Sequence, residues 1–212
     1  MKHHSWCNRH LKISTHTHME FSRQHSSYLL VILVIAGVSF LFLSLLASLL
    51  YLQFNQSVGS LNFPGWFVIT TLFILALSYY AEGVKSAFRE GDAGKYGQNL
   101  QFALASVLLF LLGQLRTWYD VISADAFMET NNAYAFLYLL SGLHLLHVIA
   151  AIPFMIYIYY RFRYNYREEH QLQLYFSDDS KYRQLDQLAI YIHFMGILWL
   201  VLLVSFLAMS FV

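Results

Sequence analysis

The chain has 212 residues, of which 58% are hydrophobic and 12% charged, with 18 Phe and 16 Tyr. Soluble domains carry about 25% charged residues, so this composition excludes an ordinary water-soluble fold. A net charge of +1 gives no basic footprint for nucleic acid, and the single Cys7 excludes an internal disulfide.

Residues 1–27 hold six of the ten histidines among Ser and Thr, without apolar periodicity, and read as a polar cytoplasmic tail. The histidine spacings match no closed metal site. Five continuous apolar runs follow, at residues 28–52, 64–81, 99–115, 134–160 and 188–212. Each supplies about the 20 helical residues that a ~30 Å hydrocarbon core requires, the third by extending to Tyr119 with Arg116 snorkelling at its end. The first run is too long for a signal-peptide core of about 7–15 residues and reads as a permanent span. The predicted fold is an all-α integral membrane bundle of five transmembrane helices, residues 28–212 forming one domain behind the 1–27 tail. The connection "EGVKSAFREGDAGKYGQ" reads as a surface turn between antiparallel helices. The longer "RFRYNYREEHQLQLYFSDDSKYRQLDQ" reads as an extension of the fourth helix beyond the membrane and as a contact for protein or lipid headgroups.

Basic residues alternate along the chain. Four lie in the tail, none in the first connection, three in the second, one in the third, five in the fourth and none after the fifth run. The positive-inside rule then places the N-terminus in the cytoplasm and the C-terminus outside.

No Asp or Glu falls within the five runs, so the ionisable candidates inside the membrane are His144, His147 and His193. His144 and His147, spaced i and i+3, are predicted to point together into the bundle one turn apart, with Pro153 beyond them breaking the backbone ladder. His147 lies about 20 Å from the outer start of its run, and His193 about 8 Å from the inner start of the next. Several readings remain open on the residues alone. Neutral imidazoles can hydrogen-bond between helices or to headgroups. A bis-histidine haem site would use His147 and His193. A proton relay lacks a carboxylate partner in the membrane, and a metal site built on the i, i+3 pair lacks a third ligand.

The segment "SGLHLLHVIAAI" resembles the Ser/Thr-Gly-x-His-x-x-His-Val signature of subunit III of haem-copper cytochrome oxidases. "YIHFMGILWLVLL" resembles that subunit's Tyr-Trp-His-Phe-Val-Asp-x-x-Trp pattern. "LSYYAEGVKSAFREGD" and "LLFLLGQLRTWY" are similar, in order and spacing, to the family's second-helix end and to the Phe-x-x-x-Gln-x-x-Glu-Tyr/Trp close of its third helix. The resemblance covers residue 27 to the C-terminus and implies the five-helix bacterial form, in a bacterial inner membrane. It implies a non-catalytic subunit packed against the haem- and copper-bearing subunit I and other oxidase subunits, with bound phospholipid and a supporting role in proton and oxygen delivery. No haem, metal or catalytic residue is then expected in this chain. His144, His147, His193, Gln114 and Trp199 would tie helices and lipid, while Glu82, Glu90, Asp92, Glu168, Glu169 and His170, with Asp178, Asp179 and Asp186, would form a proton-collecting cytoplasmic surface.

The sequence departs from the family at Thr117, where Glu is usual, at Ile192 for Trp, and at Met195-Gly196 for Val-Asp; its first helix lacks the common glutamate. These departures point to a divergent member, such as a nitric-oxide-reductase accessory protein of the same family. A haem-binding membrane anchor of a respiratory enzyme is the alternative from another class.

Overall fold

Hydrocarbon offers no partner for backbone N–H and C=O groups, so an apolar chain crossing it must satisfy them internally, as a helix does. The computed structural model describes residues 28–53, 65–123, 132–165 and 169–210, and these form six helices: α1 (Tyr28–Gln53), α2 (Trp66–Glu90), α3 (Ala93–Ser123), α4 (Asn132–Asn165), α5 (Glu169–Phe176) and α6 (Asp179–Met209). All except α5 are long and apolar enough to cross a membrane, and the protein is an all-α multi-pass membrane protein. There is no strand among the described residues. The polar tail, with Cys7 and its histidines, and Glu168 lie outside the described residues.

The chain divides into two units at residues 41 and 42. In the first, the described residues are the opening turns of α1, where Leu29, Leu30, Ile32 and Leu33 are exposed. In the second, α2 packs on α3 and α6, α3 on α4, and α4 on α6, which closes a ring of four helices. The core of this ring is filled by Phe67, Ile74, Leu77, Phe110, Trp199 and Phe206.

Two predicted boundaries are corrected. The second connection is almost entirely helical: α2 runs on to Glu90, and only Gly91 and Asp92 separate it from α3. Charged residues remain helical there because they pair along and between helices, Lys85 with Glu82 and Lys95 with Glu90. The turn needs one left-handed residue, Gly91 at φ 69°. Its N–H donates to the Phe88 carbonyl and that of Asp92 to the Ala87 carbonyl, the Schellman pattern. Asp92 then caps α3 by accepting the Lys95 N–H at 3.0 Å. In the fourth connection α4 does extend, to Asn165, but the segment then folds into the short α5 against α4 and α6. α6 starts at Asp179 under the cap of Asp178, nine residues before the apolar run. Pro153 lies inside α4, which continues through it.

Candidate functional site

Four buried polar groups, Thr70, Thr71, Gln114 and His144, gather in one layer. On α2, Thr70 and Thr71 are buried, and both hydroxyls donate to the Phe67 carbonyl, at 3.0 and 2.7 Å. A β-branched hydroxyl can bond the preceding helical turn in this way and leave its lone pairs facing a neighbour. Those lone pairs are used: Gln114 Nε2 on α3 donates to Thr70 Oγ1 at 3.3 Å, and Trp199 Nε1 on α6 donates to Thr71 Oγ1 at 3.0 Å. Two adjacent threonines thus connect α2 to both its neighbours. Close approach of α2 and α3 depends on Gly113, where a Cβ would overlap the Thr70 methyl group.

His144 enters this layer from α4. It is 0% exposed, and its ring lies 5.2 Å from Trp199 and 5.8 Å from Phe110. Phe110 meets Trp199 edge-on at 5.3 Å, and Phe67 closes the cluster at 5.2 Å from Trp199. These are the separations at which aromatic quadrupoles favour edge and tilted contacts. Among the described residues, neither ring nitrogen of His144 has a hydrogen-bond partner, nor does Gln114 Oε1. The expectation that His144 joins helices by hydrogen bonding is therefore corrected: it joins them as an aromatic ring.

The two histidines of α4 differ in burial and in the neighbours they meet. Three residues turn a helix by about 300°, leaving side chains roughly 60° apart around the axis. His147 is half-buried and sits 6.0 Å from Phe42 of α1. Its Nδ1 lies 2.7 Å from the Leu143 carbonyl, which can only accept, so the proton is on Nδ1. Its backbone carbonyl accepts the Tyr191 hydroxyl of α6 at 3.0 Å. His193 is half-buried and makes no hydrogen bond among the described residues. The structure therefore brings His144, Gln114 and Trp199 into one layer, while, among the described residues, His147 and His193 make no contact with that cluster's rings.

Sequence reasoning did not single out Thr70, Thr71, Ser141 or Trp118. Trp118 Nε1 donates to Ser141 Oγ at 3.1 Å, a second tie between α3 and α4. Gln114 offered the one available signal, since an amide in an apolar run needs a polar neighbour, but the sequence does not say on which helix that neighbour lies.

At the other end of the bundle, charges replace hydroxyls. Lys85 of α2 bridges Glu82 on its own helix, at 3.1 Å, and Asp186 of α6, at 2.9 Å. Glu90 and Asp92 both meet Lys95, and Asp178 meets Lys181. The N–H of Lys95, followed by its ammonium group, holds the Asp92 carboxyl below its ordinary range. Partial burial pushes Asp178 upward, but the Ser180 hydroxyl and amide and the Lys181 ammonium outweigh it, so that carboxyl also lies low. Below the charges, Tyr96, Phe88, Phe162, Tyr175 and Phe176 form an aromatic plug in which the Tyr96 and Tyr175 hydroxyls meet at 3.2 Å. Burial raises the Tyr175 phenol above its usual value. The side chains of Glu169 and His170 lie outside the described set. Among the described residues, no group of three or more His, Cys, Asp or Glu could hold a metal ion.

No family model matches the sequence, and no curated protein matches it.

Proposed function

We propose that the chain is a non-catalytic, subunit III-like component of a haem-copper respiratory oxidase in a bacterial inner membrane. One observation carries this reading: the residues of three separate sequence patterns meet one another in the folded bundle. Phe110 and Trp118 of the third-helix pattern face His144 and Ser141 of the Ser-Gly-x-His pattern, and His144 faces Trp199 of the His-Phe-x-x-x-x-Trp pattern. A chance likeness of short motifs gives no reason for their members to pack together.

On this reading the chain acts by holding shape. Trp199, His144 and Phe110 fix α3, α4 and α6 around α2, and the outer faces of the helices meet subunit I, other oxidase subunits and phospholipid. Haem and copper belong to the partner subunits. Glu82, Glu90 and Asp92 are ion-paired at the proposed cytoplasmic end, where they act on protons through surface charge. The orientation, with the N-terminus inside and the C-terminus outside, follows the distribution of basic residues.

The test is to tag the chain and extract it from native membranes in mild detergent. A haem-copper subunit should co-purify, and the chain stripped of partners should show no Soret band. A Soret band retained by the stripped chain, and lost in His147→Ala or His193→Ala, would replace this reading with the haem-binding anchor. Co-purification with a nitric-oxide-reducing complex would move the chain to the accessory role. For orientation, a reporter fused after Val212 should be active only outside the cytoplasm.

A further inference from the structure

Two aromatic layers close the ring of four helices, and the stretch between them is built from smaller side chains. Along each helix the order is the same. A ring of the first layer, Phe67, Phe110, His144 or Trp199, is followed by aliphatic residues and then by a ring of the plug, Phe88, Tyr96, Phe162 or Tyr182. Each helix sets one alanine into the stretch between: Ala81 on α2, Ala103 on α3, Ala151 on α4 and Ala189 on α6. The spacing of packed helices follows the side chains at their contacts, so rings at both ends hold the axes further apart than an alanine can fill.

Two cavities result. The first lies beside the plug, among Ala81, Leu100, Ala103, Leu188 and Ala189. The second lies toward Trp199, among Leu77, Val107, Val148, Ala151 and Met195. Met155 and Ile192 line both, so the two adjoin. In each, the centre of a water-sized sphere has about 10 Å³ to move in. With the radius of that sphere added, a round space of this kind is roughly 5 Å across.

Size and chemistry decide the occupant. A buried water needs about two to four polar partners. The lining carries a single hydroxyl among the described residues, that of Tyr191, and it is engaged on the His147 carbonyl at 3.0 Å. A vacant space forfeits dispersion contacts on every wall, and an apolar particle of matching width restores them. A quinone ring or a phospholipid headgroup is too large for either cavity. Ala151 of α4 and Tyr191 of α6 are the half-buried residues of the lining, so the seam between these helices is the way in from the hydrocarbon.

We propose that the adjoining cavities form a binding compartment for an uncharged, apolar monatomic or diatomic molecule, admitted between α4 and α6, with the Met155 side chain as a movable partition. An unbranched thioether has three rotatable bonds and can swing aside without breaking a hydrogen bond. The inference rests on the packing of the four helices and is independent of whether the chain serves an oxidase.

The probe is xenon, roughly 4 Å across, which enters dry apolar cavities. The full chain is isotope-labelled at its methionine methyl groups and reconstituted in lipid nanodiscs, and the signals are assigned through Met155→Leu, Met195→Leu and Met209→Leu. As xenon pressure rises, the Met155 and Met195 methyl signals should shift to a plateau. Met209, which is buried but lines neither cavity, should show no plateau and reports that the bundle stays folded. Ala151→Leu fills the second cavity from a half-buried position and should abolish the Met195 plateau. Ala103→Val fills only the first cavity and should leave that plateau in place. Shifts at Met155 and Met195 that never saturate, or a Met195 plateau unchanged in Ala151→Leu, would overturn the proposal. Magnetisation transfer from water to the Met155 methyl group would show a hydrated space and overturn it as well. Transfer from acyl-chain protons that xenon does not diminish would make a lipid tail the occupant, with the same consequence.

Discussion

The layer around Trp199 and the region around Lys85 hold the same two helices together by different physics. Around Trp199, α2 and α6 are joined by one neutral hydrogen bond and a set of ring contacts, with two polar groups left partly unsatisfied. Around Lys85 they are joined by an ion pair in which neither partner is fully buried, above a plug of aromatic rings. Inside hydrocarbon there is no hydrophobic gain from bringing apolar helices together, so fit between surfaces and a few hydrogen bonds must hold them. At the boundary, water and headgroups are present, and charge can be used without the penalty of full desolvation. The interior should therefore respond to changes of shape, and the boundary to salt and pH.

The comparison breaks most directly at Trp199. Trp199→Ala removes a 0% exposed indole from contact with Phe67, Phe110 and His144. The expected loss is about 3–5 kcal/mol, read from unfolding of the purified chain in mixed micelles. Trp199→Phe, which keeps a ring and gives up the Thr71 bond, should lose less than half as much. If the two variants were equally damaged, the hydrogen bond would matter more than the shape.

Gly113→Ala tests shape from the other side. The added methyl group meets Thr70 and separates α3 from α2, at an expected cost of about 1–3 kcal/mol by the same measurement. Adding Thr70→Ser, which removes the opposing methyl group, should restore much of that loss.

His144→Leu sharpens the contrast further, because a histidine at the centre of a signature invites the opposite expectation. The leucine relieves two unsatisfied nitrogens and forfeits ring contacts with Trp199 and Phe110. Both effects are on the order of 1 kcal/mol, so the isolated chain should stay within about 1 kcal/mol of the parent. A loss of several kcal/mol would reveal a hydrogen bond to His144 and make this site resemble the boundary.

The smallest effects belong to the boundary. Lys85→Met should cost less than about 1 kcal/mol, with the difference from the parent shrinking as salt is raised. Asp92 gives the pH dependence: its folded carboxyl titrates below the unfolded one, so its contribution is complete above the ordinary carboxylate range. That contribution is lost as the pH falls through the lowered folded value. In Asp92→Asn, this part of the acid sensitivity should vanish, while the pH profile above that range stays unchanged.

The five spans were legible because a run of apolar residues long enough to cross a bilayer has few other fates. Their ends were not, because charge was read as the end of a helix. Lys85 and Lys95 are instead satisfied by carboxylates within reach, and α2 and α3 continue beneath them. The short α5 was hidden in a connection rich in both charge signs, where Leu172, Leu174, Tyr175 and Phe176 span little more than one turn and set no period. At the site, Gln114, Trp199 and His144 were named from the sequence, yet Thr70 and Thr71 were not. A threonine in an apolar run can satisfy itself on its own helix, so nothing in the sequence shows that it also serves a neighbour.

The two-residue turn at Gly91 and Asp92 has a consequence for biosynthesis. α2 and α3 can close on each other as soon as both have left the ribosome, since little chain has to be looped out. The Trp199 to Thr71 bond, by contrast, joins residues 128 positions apart. At about 5–20 residues per second, Thr71 waits roughly 6–25 s for its indole. During that interval Thr71, Phe110 and, once α4 has arrived, His144 face an open side of the hairpin. A ribosome stalled just before α6 would present that side to the insertion machinery, which makes the nascent α2–α3–α4 intermediate the form of this protein most exposed to membrane quality-control proteases.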